Sequence, residues 1–250
     1  FCSSSNEILM RVLAVIPARY ESTRYPGKPL IDLAGKSMIR HVYEGVEKSN
    51  LISKVIVATD DQRIVDEVES FGGDVAMTSV HHVNGTGRCV EVASSLDSFD
   101  VVINVQGDEP LIRSEQLDAL IHTFQDNSVD ISTLAIASSS EADFLNENRI
   151  KVAMDANSNA LYFSRSPIPN QSKIKNPVTF YKHIGIYAFR REILLETQNM
   201  EPCAIERSES LEQLRWMHYG KKINVVVTNI ETPNIDSPED VDKVLRLLKA

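Results

Sequence analysis

Runs rich in valine and isoleucine punctuate the first half of the chain: RVLAVI (11–16), KVIVAT (54–59), DVAMT (74–78), DVVINV (100–105) and DISTLAI (130–136). Most are apolar nearly throughout, the pattern of strands covered on both faces. Stretches of helical periodicity separate them. SMIRHVYEGVEKS (37–49) sets Met38, Val42 and Val46 on one stripe with Ile39 alongside. DDQRIVDEVESFG (60–72) turns Ile64, Val65 and Val68 inward and ends on the pair Gly72-Gly73. SEQLDALIHTFQD (114–126) starts on a Ser114 cap and aligns Leu117, Leu120, Ile121 and Phe124. Strands and helices alternating at this spacing predict right-handed crossovers. The fold class is α/β, a three-layer, mostly parallel, Rossmann-like sheet.

The pattern changes after about residue 148. IKVAMDANSNALYFSR (150–165) reads as a hairpin turning at Asp155–Asn159, and YKHIGIYAFRRE (181–192) as a strand running into a helix. A polar, proline-bearing loop lies between them. Residues 149–190 therefore read as an inserted smaller β region, a lid or a dimerisation sheet, within one domain covering 10–250. RSESLEQLRWMHYG (207–220) has the pattern of one strong helix, KINVVVTNI (222–230) of a strand, and SPEDVDKVLRLLKA (237–250) of a closing helix. Ser237 as N-cap, Pro238 at the first position and Asp240 at the third mark that last start. Residues 1–9 read as a leader or disordered tail, with Met10 as a candidate initiator.

Composition then narrows the class. A chain of 250 residues, 42% hydrophobic and 24% charged, is expected to be globular and to bury a large core. Its net charge of −9 weighs against nucleic acid or an anionic membrane as partner. Cys2, Cys89 and Cys203 show no metal spacing, and the odd count suits a reducing cytoplasm. No apolar run approaches the roughly 18 residues of a membrane-spanning helix.

Ligands of open α/β sheets bind beyond the carboxyl ends of the strands, so those positions are where chemistry is sought. The first strand runs into PARYESTRYPGKPL (17–30), which sets Arg19, Arg24 and Lys28 against Glu21 alone. Forked guanidinium donors, a compact ammonium and Gly27 suit a polyphosphate; composition alone fits a solvated, acid-paired loop equally well. AGKS (34–37) imitates the end of a phosphate-binding loop, but Leu30 stands where that motif needs glycine. Asp108 in QGDEP (106–110) and Asp236 before the last cap are each ordinary turn or cap residues when taken singly. Together at one sheet edge with a cationic loop, they favour a metal–triphosphate site, because Mg²⁺ prefers one or two carboxylates plus phosphates and water. The histidines form no metal cluster: His81 and His82 are adjacent, and His41, His122 and His218 fall on helices. His183, beside Gly185 and Tyr187, stands open between packing and function. Cys89 reads as a structural thiol.

The segments IPARYESTRYPGKPL, VIVATDD, INVQGDEP, ALYFSRSPIP, HIGIYAFR and ESLEQLR occur in the order found in the 3-deoxy-manno-octulosonate cytidylyltransferases (CMP-Kdo synthetases). The chain resembles that family from about Arg11 to the final helix. The resemblance implies transfer of CMP from CTP to the acid sugar Kdo, releasing pyrophosphate and forming CMP-Kdo for lipopolysaccharide synthesis. It implies Mg²⁺ held by Asp108 and Asp236, with Arg19, Arg24 and Lys28 on the triphosphate. Arg19, Lys28, Asp108 and Asp236 would then carry catalysis. Pro17, Ala18, Thr78, Asn84, Gly85, Arg88 and Gln106 would complete the nucleotide site. Arg165, His183, Tyr187, Glu212 and Gln213 would line the Kdo side. A cytoplasmic homodimer, with no nucleic acid and no membrane insertion, is expected. The chain departs from the family at Gly87, where relatives usually carry an acid, and that loss could free Arg88 from a local partner. A sialic-acid cytidylyltransferase is the nearest rival, and a nucleotide-sugar glycosyltransferase or a non-catalytic binding protein stands further off.

Overall fold

The computed structural model describes residues 10–21, 25–175 and 179–249, so the expectations for residues 1–9 and for Arg24 lie outside the described residues. The first apolar run forms β1 (Val12–Ala18). A two-stranded ribbon, β2 (Asp32–Leu33) and β3 (Lys36–Ser37), leads into α1 (Met38–Glu47), whose cap Ser37 accepts a bond from the Arg40 amide. The alternation continues through β4 (Lys54–Thr59), α2 (Gln62–Ser70), β5 (Val75–Met77), α3 (Gly85–Ser94) and β6 (Val101–Asn104). Next come α4 (Ser114–Thr123), β7 (Ile131–Ser138), α5 (Glu141–Leu145), the hairpin β8 (Lys151–Met154) and β9 (Ala160–Ser164), and the long β10 (Phe180–Arg190). The chain ends with α6 (Arg191–Thr197), α7 (Ala204–Glu209), α8 (Gln213–His218), β11 (Ile223–Thr228) and α9 (Val241–Leu248).

The main path of the sheet runs β5-β4-β1-β6-β10-β7-β11. Pairs β5–β4, β4–β1, β1–β6 and β7–β11 are parallel, while β10 is antiparallel to both its neighbours. Alternate residues of β1 feed separate layers. Val12, Ala14 and Ile16 pack with Ile39, Val42 and Val46 of α1 and Leu117 and Leu120 of α4. Leu13 and Val15 pack with Cys89 and Ala93 of α3 and Leu194 of α6. Full burial of such side chains is worth roughly 1.5–3 kcal/mol each, which is why these strands read as continuous apolar runs. A small third cluster (Leu33, Met38, Ile235, Val244) seats α9 on the ribbon and brings the 230s loop to the same sheet edge.

After β5 the chain crosses to the far side of β1 and lays down β6. The crevice between the carboxyl ends of β1 and β6 is thus the switch point of the sheet.

Local details depart from the periodicity in a few places. Segment 207–220 is two short helices, broken where Ser210 takes φ 52° and ψ 48°. The Nε and Nη2 of Arg165 take up the carbonyls of Glu209 (2.7 Å) and Ser210 (3.4 Å). Ser114 lies inside α4, whose cap is Arg113: the Gln116 side chain accepts from the Arg113 amide at 3.2 Å. The last helix opens as a 3-10 turn over Pro238–Asp240, with the Asp240 carboxylate accepting from the Ser237 amide at 2.9 Å. The 149–190 strands join the main sheet: β8 pairs with the first half of β10, and β9 pairs with β8.

Candidate active site

β1 and β6 end side by side, the Val105 amide donating to Val15 O at 3.0 Å. Gly107 follows at closest approach: a Cβ there would lie 2.8 Å from Pro17 O, so a side chain would push the two strand-end loops apart. The Ile235 amide donates to Asp108 O (2.9 Å), which brings Asp236 to the crevice from across the sequence. In the first loop Gly27 adopts φ 72° beneath the Tyr20 ring and donates to Tyr20 O (2.8 Å). This turn folds Lys28 back over the strand ends. Its Nζ donates to Asp108 Oδ2 (2.6 Å) and to Ile235 O (2.9 Å), and lies 3.9 Å from Asp236 Oδ1. Two carboxylates far apart in the sequence therefore face one cation.

On one side of this centre lies a cleft of about 370 Å³, lined by Pro17, Ala18, Arg19, Lys28, Gly85, Arg88, Gln106 and Asp108. The cap Asn84 accepts from the Gly87 amide at 2.9 Å, fixing the start of α3 at the cleft wall, where its unpaired amides favour negative charge. Arg19 is exposed, with Nη2 3.5 Å from Val83 O across the opening. Thr78 is buried and donates to Thr59 O at 3.1 Å. Arg88 is buried too: Nη1 donates to Thr78 Oγ1 (2.7 Å) and Ser79 O (3.2 Å), and Nη2 to Asp60 Oδ2 (2.5 Å). Gly87 does not leave this guanidinium unpartnered, because Asp60 supplies the carboxylate. A Cβ at Gly87 would instead meet His82 Nδ1 at 2.8 Å. His82 in turn pairs through Nε2 with Glu91 (2.5 Å), which also accepts from the Ser79 amide (3.0 Å).

The second cleft, about 570 Å³, shares Gln106 and Asp108 with the first. Asp236, His183, Gly185, Tyr187 and Gln213 line it, and a bulge in β10 between Ile184 and Tyr187 turns that strand into its wall. Thr133 Oγ1 donates to Ile186 O at 2.7 Å, so at 2.9 Å it receives the His183 Nε2–H. Burial pushes the His183 pKa down to about 3, and the ring is neutral. Tyr187 stands edge-on to Trp216 at 5.0 Å; its buried hydroxyl makes no hydrogen bond among the described residues, and burial raises its pKa. Glu109 is buried beside Asp108, and desolvation followed by the Asp108 charge pushes it up to about 8.

Arg165 and Glu212 line neither cleft. The Arg165 guanidinium is taken up by backbone carbonyls, among them Glu147 O at 3.1 Å. Glu212 accepts from Asn84 Nδ2 and Thr86 Oγ1, both at 2.8 Å, and burial raises its pKa. Sequence reading also missed Arg149 and Lys182 in the wall of the second cleft. Lys182 sits next to His183 in a quoted segment; its ion pairs with Asp143 (3.0 Å) and Glu231 (2.7 Å) come from distant elements.

A switch-point crevice that sets a lysine and two carboxylates between two polar clefts has the make-up a nucleotidyltransferase needs. Residues 13–223 match the family described as cytidylyltransferase. The 3-deoxy-manno-octulosonate cytidylyltransferases of Geobacter metallireducens and Parabacteroides distasonis are 45% and 46% identical to the chain, over 96% of it and 98% and 99% of their own lengths. A solved CMP:2-keto-3-deoxy-manno-octonic acid synthetase, complexed with CTP, matches with a TM-score of 0.92 at 40% identity, covering 96% of this chain and 98% of that one. The chain belongs to the cytidylyltransferases, and within them to the 3-deoxy-manno-octulosonate cytidylyltransferase family. A 4-diphosphocytidyl-2C-methyl-D-erythritol synthase from Anaerococcus prevotii, at 16% identity and a TM-score of 0.66, shares the fold alone.

Proposed function

We propose that the protein transfers CMP from CTP to Kdo, forming CMP-Kdo for lipopolysaccharide synthesis and releasing pyrophosphate, by direct attack of the sugar's anomeric hydroxyl on the α-phosphate. The observation that carries this reading is the meeting of two clefts at Asp108, with Asp236 and Lys28 at the junction. Nucleotide in the first cleft and sugar in the second would bring nucleophile and phosphorus together there.

Asp108 and Asp236 suit Mg²⁺: both face the Lys28 ammonium, and two carboxylates completed by phosphates and water match the ion's preference. The bound cation would supply charge neutralisation at the α-phosphate and acidify the attacking hydroxyl. Lys28 holds the carboxylates together before substrate arrives, and its ammonium can turn to a phosphate oxygen when the nucleotide enters. Arg19, and Arg24 in the same loop, would hold the departing pyrophosphate. The start of α3 and Gln106 would face the base and ribose, above a floor stiffened by Arg88 and Thr78. On the sugar side the neutral His183 ring, the Tyr187 hydroxyl and Gln213 offer uncharged partners for hydroxyl groups, and Arg149 and Lys182 offer positive charge for the sugar's carboxylate.

A cytoplasmic homodimer belongs to this reading. β9 pairs with β8 alone and carries exposed Leu161 at a sheet edge, and Cys89 and Cys203 are buried thiols. No described helix is long and apolar enough to cross a membrane. The test is pyrophosphate release from CTP and Mg²⁺ with either Kdo or sialic acid. Release with Kdo is expected; release with sialic acid alone overturns the assignment.

A further inference from the structure

The bulge in β10 leaves Gly185 and Ile186 out of the ladder with β7: Ile184 pairs with Leu134, and Tyr187 with Thr133. The Ile186 carbonyl therefore needs another donor, and the buried Thr133 hydroxyl supplies it at 2.7 Å. The Ile184 carbonyl lies further off, at 3.4 Å. A carbonyl has no proton to give, so the hydroxyl proton is committed to the backbone. Only lone pairs remain on the Thr133 oxygen for His183 Nε2 at 2.9 Å. The ring proton is thus on Nε2, and Nδ1 is bare. Nδ1 bonds to no described residue, yet it is not among the sealed, unsatisfied atoms of the interior; His183 is half-buried and lines the second cleft. The His183 amide donates to Ile150 O at 2.9 Å, and the ring packs against Phe163 and Tyr187 with centroids 5.1 and 5.3 Å away. Burial keeps it uncharged, so the lone pair is offered without taking up a proton near neutral pH.

We infer that Thr133 is a positioning residue that fixes the tautomer of His183, so that Nδ1 presents a bare lone pair to the second cleft and accepts a hydrogen bond from a hydroxyl of the bound sugar. The guest rests on the reading of this cleft as the sugar's. Thr133 lies beneath the cleft and does not line it, so it acts through the imidazole alone. In the other tautomer the ring would turn an N–H to the same spot, and a hydroxyl oriented to donate would meet a donor. A polar group left unmatched in this way costs more than the bond itself is worth. Thr133 therefore selects the sense of the contact, and the bulge, by freeing the Ile186 carbonyl, holds Thr133 to that choice.

The test is long-range ¹H–¹⁵N NMR of the full chain, in which bare and protonated ring nitrogens are well separated, alongside calorimetry of Kdo binding to the CMP-saturated protein. Loss of signals in His183→Gln assigns the ring. Wild type should show a protonated Nε2 and a bare Nδ1 near neutral pH, and Kdo should shift Nδ1 while Nε2 keeps its proton. Thr133→Val removes the acceptor beside Nε2; the proton should move to Nδ1 and Kdo affinity should fall by roughly tenfold, the order of one hydrogen bond lost. Thr133→Ser keeps the hydroxyl and should restore both. In Thr133→Val, a change of spectrum or of affinity without the other overturns the proposal, as does no change in either. Should that variant fail to fold, the wild-type spectra decide: a protonated Nδ1, or one that bound Kdo leaves unshifted, overturns it. If wild type binds no Kdo, the reading of the cleft fails, and the contact falls with it whatever the tautomer.

Discussion

Lys28 changes its meaning once its partners are visible. As one of three cations in a loop it is a phosphate holder, but its ammonium sits 2.6 Å from Asp108 and 3.9 Å from Asp236. Asp108→Asn and Asp236→Asn should each lower kcat strongly while melting like wild type; near-normal turnover in either would remove that residue from the cation site. Lys28→Ala should lower kcat by roughly 10²–10³-fold, the usual effect of removing one preorganised partner of developing charge. A loss of only a few-fold would reduce Lys28 to steering the nucleotide. His183 makes a prediction of opposite character, about stability. Its pKa drops from 6.5 in the unfolded chain to about 3 in the fold. The neutral ring's contribution is complete above pH 6.5 and is lost as pH falls toward 3, because only the unfolded chain takes up the proton in that window. The slope is up to about 1.4 kcal/mol per pH unit. Urea unfolding between pH 4 and 7.5 should show this slope in wild type and a shallower one in His183→Gln. Equal slopes would mean that the imidazole is hydrated.

At the scale of elements, the strands of the parallel half were legible because burial on both faces leaves only apolar residues to read. The strand-end rule then led to Lys28 and Asp108 without knowledge of a contact, and the family resemblance added Gln106. What periodicity could not show was set by tertiary partners. Arg88, implied in the nucleotide site by the resemblance, does line the first cleft, but Asp60 and Thr78 hold its guanidinium in the floor. Residues 207–220 keep a helical stripe across a real break, because the carbonyls that would continue the helix bond to Arg165, a residue of the distant hairpin. That break has a testable cost. Ser210 at φ 52° holds a left-handed conformation that strains an L residue by about 1–2 kcal/mol. Glycine would remove the strain but gain entropy in the unfolded chain, leaving a net of roughly 0.5–1 kcal/mol. Ser210→Gly should therefore melt about 1–4 °C higher. No rise, or a fall, would show that the serine side chain contributes more than its backbone strain takes away.

Across the whole molecule, antiparallel β10 joins a half built on β1, β4, β5, β6 and α3, on the side of the first cleft and proposed for the nucleotide, to one built on β7, β8, β9 and β11, on the side of the second and proposed for the sugar. The two clefts share Gln106 and Asp108 at the surface, and beneath them Glu212 spans the same divide. Its neighbours Leu211 and Gln213 line the second cleft, while its own oxygens hold Asn84 and Thr86 at the start of α3. A shift of α3 on nucleotide binding would therefore move Gln213, and a shift of Gln213 on sugar binding would move α3. Such coupling must be reciprocal and is usually worth a factor of roughly 5–150 in affinity. CMP and Kdo together occupy both sides without turnover, so calorimetry can measure Kdo affinity with and without CMP. Wild type should bind Kdo at least several-fold more tightly when CMP is present. In Glu212→Ala the factor should fall toward one, and Glu212→Gln, with one acceptor oxygen left, should keep part of it. An unchanged factor in Glu212→Ala would assign the coupling to the shared Gln106 and Asp108 surface instead.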